Sequence, residues 1–355
     1  MNVLYLTKYC RNGASSRLRS YQYFSLLNEK GFSVTVKPFF DENYLNQLYS
    51  NINTSKISLA NLYFKRFSTL FTIYKYDSIV IEKELFPYFF SWFEKILFIL
   101  NIKYIVDYDD AIFHNYDLSD NKFIRFFLKN KIANVMKYSD CVLAGNTYLA
   151  SKAVQSRATK VIVFPTVIDI NKYKTKECFK DKNKIVIGWI GSPTTFKYVK
   201  SIAPILSKLN KMHPFELHII GVAEKLDFNG IVKYIKWSEV DEVNLLSKLD
   251  IGIMPLENTP WELGKCAYKI IQYMGCGLPV VASSIGANKE VIDHGKNGFL
   301  VENEKDWIEK LILLLNDSHL RKQFGEDGRK KIERKFSLHN NLQKLILLFK
   351  DGSAK

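Results

Sequence analysis

Residues Asp250–Ile292 read DIGIMPLENTPWELGKCAYKIIQYMGCGLPVVASSIGANKEVI, and this stretch decides the fold. The apolar run Asp250–Met254 ends at Pro255 and has the length and continuity of a strand buried on both faces. A loop with Trp261 and Glu262 follows, and the spacing predicts a helix from about Lys265 to Met274. Gly275 and Gly277 stop that helix, and a second strand starts at Pro279. Helical spacing sorts the predicted helix into two sides. Lys265, Lys269 and Gln272 stand at i, i+4 and i+7 on one of them; Ala267, Ile270, Ile271 and Met274 fall largely on the other. A core helix needs the apolar set. The first set is a row of donors suited to an anion or a polyol.

The same alternation runs outward in both directions. Strands are predicted at Val3–Leu6, Ser33–Lys37, Ser78–Ile81, Tyr104–Asp107, Cys141–Leu143 and Val161–Phe164. The second half repeats the pattern at Ile185–Ile190, Glu216–Ile220, Lys233–Ile235, Ile251–Met254, Val280–Ala282 and Phe299–Val301. Apolar strands spaced by helices predict parallel sheets covered on both faces, and two such halves predict two Rossmann-like α/β domains. We expect residues 1–168 to form the first and residues 169–336 the second. Pro165–Tyr173 is the expected linker, followed by the charged, strand-poor Lys174–Lys184. A last helix, in residues 337–355, is expected to pack back toward the N-terminal domain, with its final Gly-Ser-Ala-Lys frayed.

The 355 residues and 47% hydrophobic content suffice for two cores. The net charge of +15 favours an anionic partner. Residues 1–170 hold 21 Lys+Arg against 14 Asp+Glu and the remainder 30 against 22, so the excess is no charged tail. No nucleic-acid motif is present, and nucleic acid is not expected as a partner. Cys10, Cys141, Cys178, Cys266 and Cys276 form no CxxC pair. With a strand-like NVLYLT directly after Met1 in place of a basic leader, a reduced cytoplasmic protein is expected. The most apolar run, Phe86–Val106, is broken by Glu94, Lys95 and Lys103, too soon for a membrane span. It reads as a helix over Tyr88–Leu100 leading into a strand.

Several turns carry residue types that suit chemistry. In GWIGSPTTFKYVK (Gly188–Lys200), Gly191 closes a strand and Ser192, Thr194 and Thr195 open a helix, with Lys197 one turn in. Backbone N–H groups at a helix start bind anions; ordinary capping beside a surface lysine is the alternative. Gly221 and Trp237 end the next two strands, where ligands of open sheets bind; Trp237 either faces a nucleobase or packs. Gly286, Ala287 and Asn288, at the start of a helix before Glu290, offer backbone donors. In the first half, Gly13, Ser15, Ser16 and Arg17 make a second small-residue turn, and Asp109, Asp110 and His114 follow another strand. The strand-end carboxylates suit acid/base work or hydroxyl binding better than a metal; helix capping is the alternative. Residues 43–76 contain no acidic residue and interleave Lys56, Lys65, Arg66 and Lys75 with aromatics. A helix around Leu59–Tyr74 either lies on an anionic bilayer or turns its aromatics to the core. Lys122–Lys137 is a similar basic helix.

These residues resemble glycosyltransferase family 4. The resemblance covers nearly the whole chain through GASSRLRSYQY, VDYDDAIF, CVLAGNTYLA, FPTVID, IGWIGSPTT and DIGIMPL, and most specifically through GKCAYKIIQYMGCGLPVVAS and GANKEVIDHGKNGFLV. It implies the GT-B fold, two facing Rossmann domains, the first for an acceptor and the second for a nucleotide-sugar. It implies retention of anomeric configuration, a UDP- or GDP-sugar donor, a glycan or lipid-linked saccharide acceptor, and neither cofactor nor metal. Lys197 matches the family lysine that contacts the diphosphate, while Ser192 stands where an arginine is usual. Gln272 matches the second glutamate of the Glu-x7-Glu motif, which holds the ribose. Gly264 stands at the first glutamate, two residues from Glu262, which is the expected substitute. Asp109 takes the place of the first-domain histidine. The Trp-x-x-Gly-Lys-Cys-x-x-Lys pattern of Trp261–Lys269 matches a subgroup sharing these departures. A bacterial transferase of surface polysaccharide synthesis (lipopolysaccharide O-antigen or capsule), working at the inner face of the membrane, is the implied function. An epimerase of the same fold and a non-catalytic nucleotide-binding or membrane-docking subunit are the alternatives.

Overall fold

The computed structural model describes residues 1–50, 52–176 and 184–353. Cys178 and the middle of the charged Lys174–Lys184 stretch lie outside the described residues, as do Ala354 and Lys355. Six strands form the first sheet: β1 (Asn2–Leu6), β2 (Ser33–Val36), β3 (Ser78–Glu82), β4 (Ile105–Tyr108), β5 (Cys141–Ala144) and β6 (Val161–Val163). Six more form the second: β7 (Val186–Ile190), β8 (Glu216–Ile220), β9 (Ile231–Ile235), β10 (Ile251–Met254), β11 (Val280–Ser283) and β12 (Gly298–Val301). Their orders are β2-β1-β3-β4-β5-β6 and β12-β11-β10-β7-β8-β9. Every neighbouring pair is parallel.

Parallel pairing explains the composition. The central strands are covered by helices on both faces, so β4, β5, β7 and β10 are buried along their whole length. It also lines up all carboxyl ends of a sheet on one edge. Strand order reverses between β1 and β3 in the first sheet and between β7 and β10 in the second. A crevice opens outside the carboxyl ends at such a reversal; the Gly13–Arg17 turn follows β1 and the Gly191–Thr195 turn follows β7.

The chain divides into two compact units. The first holds Met1–Thr166, Gly264–Cys266 and Asn341–Lys355; the second holds Val167–Leu263 and Ala267–Asn340. Within the first, the last helix (Leu338–Ser353) brings Phe349 to ring distances of 5.7 Å from Phe32 and 6.4 Å from Tyr5. Asn341 Nδ2 donates to the Pro165 carbonyl at 2.8 Å. In the second unit, Trp189 packs on Phe196 at 5.8 Å over a core that includes Ile187, Leu206, Ile219 and Val281.

The helix expected over Lys265–Met274 is corrected. The structure has helical turns at Pro260–Leu263 and Tyr268–Gly275, with Gly264–Cys266 outside both and Ala267 left-handed at φ 52°. Lys265 therefore lies off the helix and shares no row with Lys269 and Gln272. Tertiary contacts override the helical spacing here. A Cβ on Gly264 would stand 2.4 Å from Ala111 Cβ and 2.6 Å from Ala111 N. Asn146 Nδ2 donates to the Lys265 carbonyl at 3.0 Å, and Cys266 Sγ to the Asp109 carbonyl at 2.9 Å. The basic segment Lys122–Lys137 is likewise two helices, Lys122–Leu128 and Lys131–Tyr138. The helix expected over Tyr88–Leu100 is shorter, Trp92–Ile99.

Candidate functional site

In the first unit the carboxyl ends of β1, β3 and β4 gather a charged cluster. Glu82 ends β3, buried, and accepts from Lys8 N at 3.0 Å and Ser16 Oγ at 2.7 Å. Ser15 Oγ lies 2.5 Å from Asp109 Oδ2 and 3.2 Å from Glu82 Oε1; its single proton serves the nearer oxygen. Lys83 Nζ forms a buried ion pair with Asp109 Oδ1 at 2.9 Å. Lys83 is itself left-handed, φ 69°, a backbone strain of the kind held at functional sites. Gly13 is required by close approach: a Cβ there would stand 2.4 Å from Tyr9 Cβ. The turn so formed carries Ser15, Ser16 and Arg17 on the short helix Ala14–Arg19.

These neighbours separate the two adjacent carboxyl groups. Burial alone would raise Asp109, but the charges of Lys83 and Arg19 and the Ser15 hydroxyl overcome it and hold the group at about 2. Burial and the charge on Asp109 push Asp110 up, against the pull of Lys83 and Lys265. Burial also raises Glu82. Pairs of carboxyl groups driven apart in this way divide proton-holding from charge-holding roles. Asp107 has no such freedom. Arg19 grips it through Nε at 2.9 Å and through Nη2, and Arg19 Nη1 donates to the Phe164 carbonyl at 2.7 Å. His114 is committed too, with Nδ1 2.8 Å from Asp117 Oδ1 and Nε2 2.9 Å from the Tyr148 hydroxyl.

In the second unit the turn after β7 is built from glycine and hydroxyl residues. A Cβ on Gly191 would stand 2.4 Å from the Trp189 ring, and one on Gly221 (φ 93°) would stand 2.3 Å from the Gly191 carbonyl oxygen. The turn's own hydroxyls cap it. Ser192 N donates to Thr195 Oγ1 at 3.2 Å, Thr195 Oγ1 to the Ser192 carbonyl at 3.0 Å, and the Ser192 and Thr194 hydroxyls lie 2.9 Å apart. Capping, rather than an outward-facing set of hydroxyl donors, is thus what Ser192 and Thr195 do in this structure. The helix Lys197–Met212 follows at once, and its dipole favours an anion at this end.

Two lysines lie near this turn. Lys269 Nζ stands 5.6 Å from the Trp189 ring centre, the ring that Gly191 abuts. Lys197 keeps an exposed side chain, its Nζ 4.0 Å from Glu262 Oε1 and 4.9 Å from the Tyr198 ring centre. Glu262 is only 3% exposed and accepts from the hydroxyls of Tyr198 and Thr259. Burial works to raise it, yet these two donors and the Lys197 charge leave it below the usual range, an anion. Gly286 (φ 47°) backs onto Leu263, with a Cβ there 3.0 Å from the Leu263 carbonyl oxygen.

Other expected residues are placed differently. Gln272 is 2% exposed, and its Nε2 donates to the Tyr173 hydroxyl at 3.3 Å. Tyr173 donates in turn to Glu242 Oε1 at 3.0 Å, and Trp237 Nε1 donates to Glu242 Oε2 at 2.9 Å. Gln272 and Trp237 are therefore two ends of one hydrogen-bonded chain. Ala287 and Asn288 are buried, and Asn288 points inward, its Nδ2 donating to the Ser283 carbonyl at 2.9 Å. Its backbone N–H is used by Ile285 O at 3.1 Å, so it is no outward donor.

Sequence reasoning missed Glu82, Lys83, Tyr173, Tyr198 and Glu242. Glu82 and Lys83 had a signal, a charged run directly after the apolar IVI of β3. The others had none, because a lone tyrosine or glutamate declares no partner. Among the described residues no group of three or more His, Cys, Asp or Glu is arranged to hold a metal ion.

Residues 184–317, the stretch that holds the second sheet, match the family model of Glycosyl transferases group 1. Spore coat protein SA of Bacillus subtilis is 28% identical over 138 residues, 38% of this chain and 34% of that protein. The capsular polysaccharide biosynthesis glycosyltransferase CapM of Staphylococcus aureus is 25% identical over 184 residues, 48% of this chain and 47% of that protein. The chain spans between 34% and 59% of the first curated relatives it matches. The crystal structure of HepE from Anabaena in complex with UDP covers 99% of this chain and 100% of its own, with a TM-score of 0.74 at 18% identity. At that identity the likeness is one of fold, the GT-B fold.

Proposed function

We propose that this chain is a retaining glycosyltransferase that moves a sugar from a UDP- or GDP-sugar to a glycan or lipid-linked saccharide. Its place would be bacterial surface polysaccharide synthesis, O-antigen or capsule, at the inner face of the cytoplasmic membrane. The observation that carries the reading is the second-unit turn. A glycine pair, Gly191 and Gly221, opens the backbone beside a helix start, Lys197 and Lys269 supply positive charge, and buried Glu262 lies 4.0 Å from Lys197. The match of residues 184–317 to Glycosyl transferases group 1 supports it, as does the fold shared with a UDP-bound protein.

In this reading the donor diphosphate rests on the backbone after Gly191. As the glycosidic bond breaks, negative charge grows on the departing phosphate, and fixed positive groups stabilise that charge more than the ground state. Lys197 and Lys269 supply it, so the reaction is proposed to proceed without a bound metal and to survive treatment with chelator. Glu262 positions Lys197. The chain from Gln272 through Tyr173 and Glu242 to Trp237 forms the wall proposed for ribose and base. In the first unit Asp109, held ionised, orients hydroxyl groups by accepting their hydrogen bonds. A carboxylate at about 2 is a weak proton acceptor near neutrality, so the raised Asp110 is the better-matched base. The test is incubation with UDP- and GDP-sugars, with and without a lipid-linked acceptor. Acceptor-dependent release of nucleoside diphosphate supports transfer. Conversion of the donor sugar without acceptor would assign an epimerase, and binding with neither outcome a non-catalytic subunit.

A further inference from the structure

We infer that the first unit docks on an anionic bilayer through two neighbouring helices, Lys56–Leu70 and Trp92–Ile99. The inference goes beyond the transferase reading and is measured without donor or acceptor. The sequence left residues 43–76 open between a bilayer face and a core-facing aromatic stripe. The structure shows that the helix has two distinct sides. One is inward: Leu62 and Arg66 are buried, and Arg66 Nη2 donates to the Thr7 and Lys37 carbonyls at 2.9 and 3.1 Å. The other is outward. Ile57 and Phe64, with Phe71 at the C-cap, recur every seven residues, an α-helical stripe, and are 77%, 70% and 67% exposed.

Spacing of 100° per residue puts Lys56 and Lys65 on opposite flanks of that outward stripe. An apolar ridge between two lysines suits a helix lying in the headgroup layer, with its lysines reaching up to lipid phosphates. The second helix continues the ridge. Phe67 and Phe93 make ring contact at 5.8 Å, and Trp92, Ile96 and Ile99 face solvent with Lys95. Its one acidic residue, Glu94, is buried and accepts from Leu85 N at 3.0 Å. The outward charge of both helices is thus positive only, and residues 43–76 lack acid altogether. Contiguous exposed aromatics of this extent mark an interaction surface, and tryptophan with lysine favours the membrane interface.

The test is co-sedimentation of the intact protein with vesicles of phosphatidylcholine alone or mixed equally with phosphatidylglycerol, at low and high salt. Binding is expected on the anionic vesicles at low salt, at least tenfold weaker on neutral vesicles and strongly reduced by salt. Phe64→Ser with Trp92→Ser should cut partition at least tenfold. Lys65→Glu with Lys95→Glu should do so on anionic vesicles only. All four positions are solvent-exposed, and an unchanged thermal midpoint verifies folding. Absence of binding to anionic vesicles at low salt overturns the inference, as does partition of both variants equal to wild type. A wild-type dimer that Phe64→Ser with Trp92→Ser turns into monomer would assign the face to a second copy instead.

Discussion

Replacing Lys83 by Met isolates the charge at the centre of the first-unit cluster. Methionine keeps the aliphatic reach and the same strained backbone, so what is lost is the ammonium 2.9 Å from Asp109. Two estimates bound the cost. Asp109 is held at about 2 against an ordinary 3.8, which by linkage is roughly 2 kcal/mol of folding free energy. Loss of one partner from a buried pair costs about 3–5 kcal/mol. Arg19 and the Ser15 hydroxyl still serve Asp109 in the variant, so we expect about 2–4 kcal/mol at pH 7. The pH dependence carries a sign. In the wild type the depressed group stabilises fully above its unfolded value and loses that contribution as pH falls toward 2. In the variant Asp109 protonates at higher pH and relieves the unpaired charge, so the deficit should shrink between pH 7 and pH 4. Urea unfolding at the two pH values reads this directly. A deficit under about 1 kcal/mol at pH 7, or one that does not shrink on acidification, would refute the ion-pair account.

Three further outcomes follow from the same structure. Gly264→Ala drives a Cβ to 2.4 Å from Ala111 Cβ and 2.6 Å from its backbone nitrogen and should destabilise by about 1–3 kcal/mol; an unchanged melting temperature would mean the segment is loosely held. Tyr173→Phe breaks the chain between Gln272 and Glu242 and leaves a buried amide unpaired, costing about 1–3 kcal/mol, with wild-type stability in urea as the contrary result. If raised Asp110 is the proton acceptor, the transfer rate should climb with pH along a limb above the ordinary carboxylate range. Asp110→Asn should abolish that limb, and a limb that survives would move the role elsewhere.

The strands were legible because parallel sheets demand unbroken apolar runs. IVI of β3 and IGIM of β10 stand out with no knowledge of their partners, and each of the twelve predicted strands overlaps an observed one. The turn at Gly191–Lys197 was legible for a related reason, since glycine and hydroxyl residues are local signals. The row of Lys265, Lys269 and Gln272 failed because periodicity is blind to tertiary contacts. The helix cannot begin at Lys265 while Asn146 and Asp109 bind Lys265 and Cys266. The departure at Gly264 becomes intelligible in the same terms, because the contact with Ala111 leaves no room there for a glutamate side chain. Glu262 is buried and ionised two residues away, yet what fixes it, Tyr198 and Thr259, stands 64 and three residues off in sequence. Pairing at such separations is a property of the folded sheet edge, not of any motif.

The central claim is that the second-unit turn, with Lys197, receives a nucleoside diphosphate. Calorimetric titration of UDP and GDP into the wild type and into Lys197→Ala tests it most directly. A charge-assisted contact contributes about 1.5–3 kcal/mol, so the variant should bind roughly 10- to 100-fold more weakly with its melting temperature unchanged. Equal affinity in the two proteins, or no binding of either nucleotide to the wild type, would contradict the account.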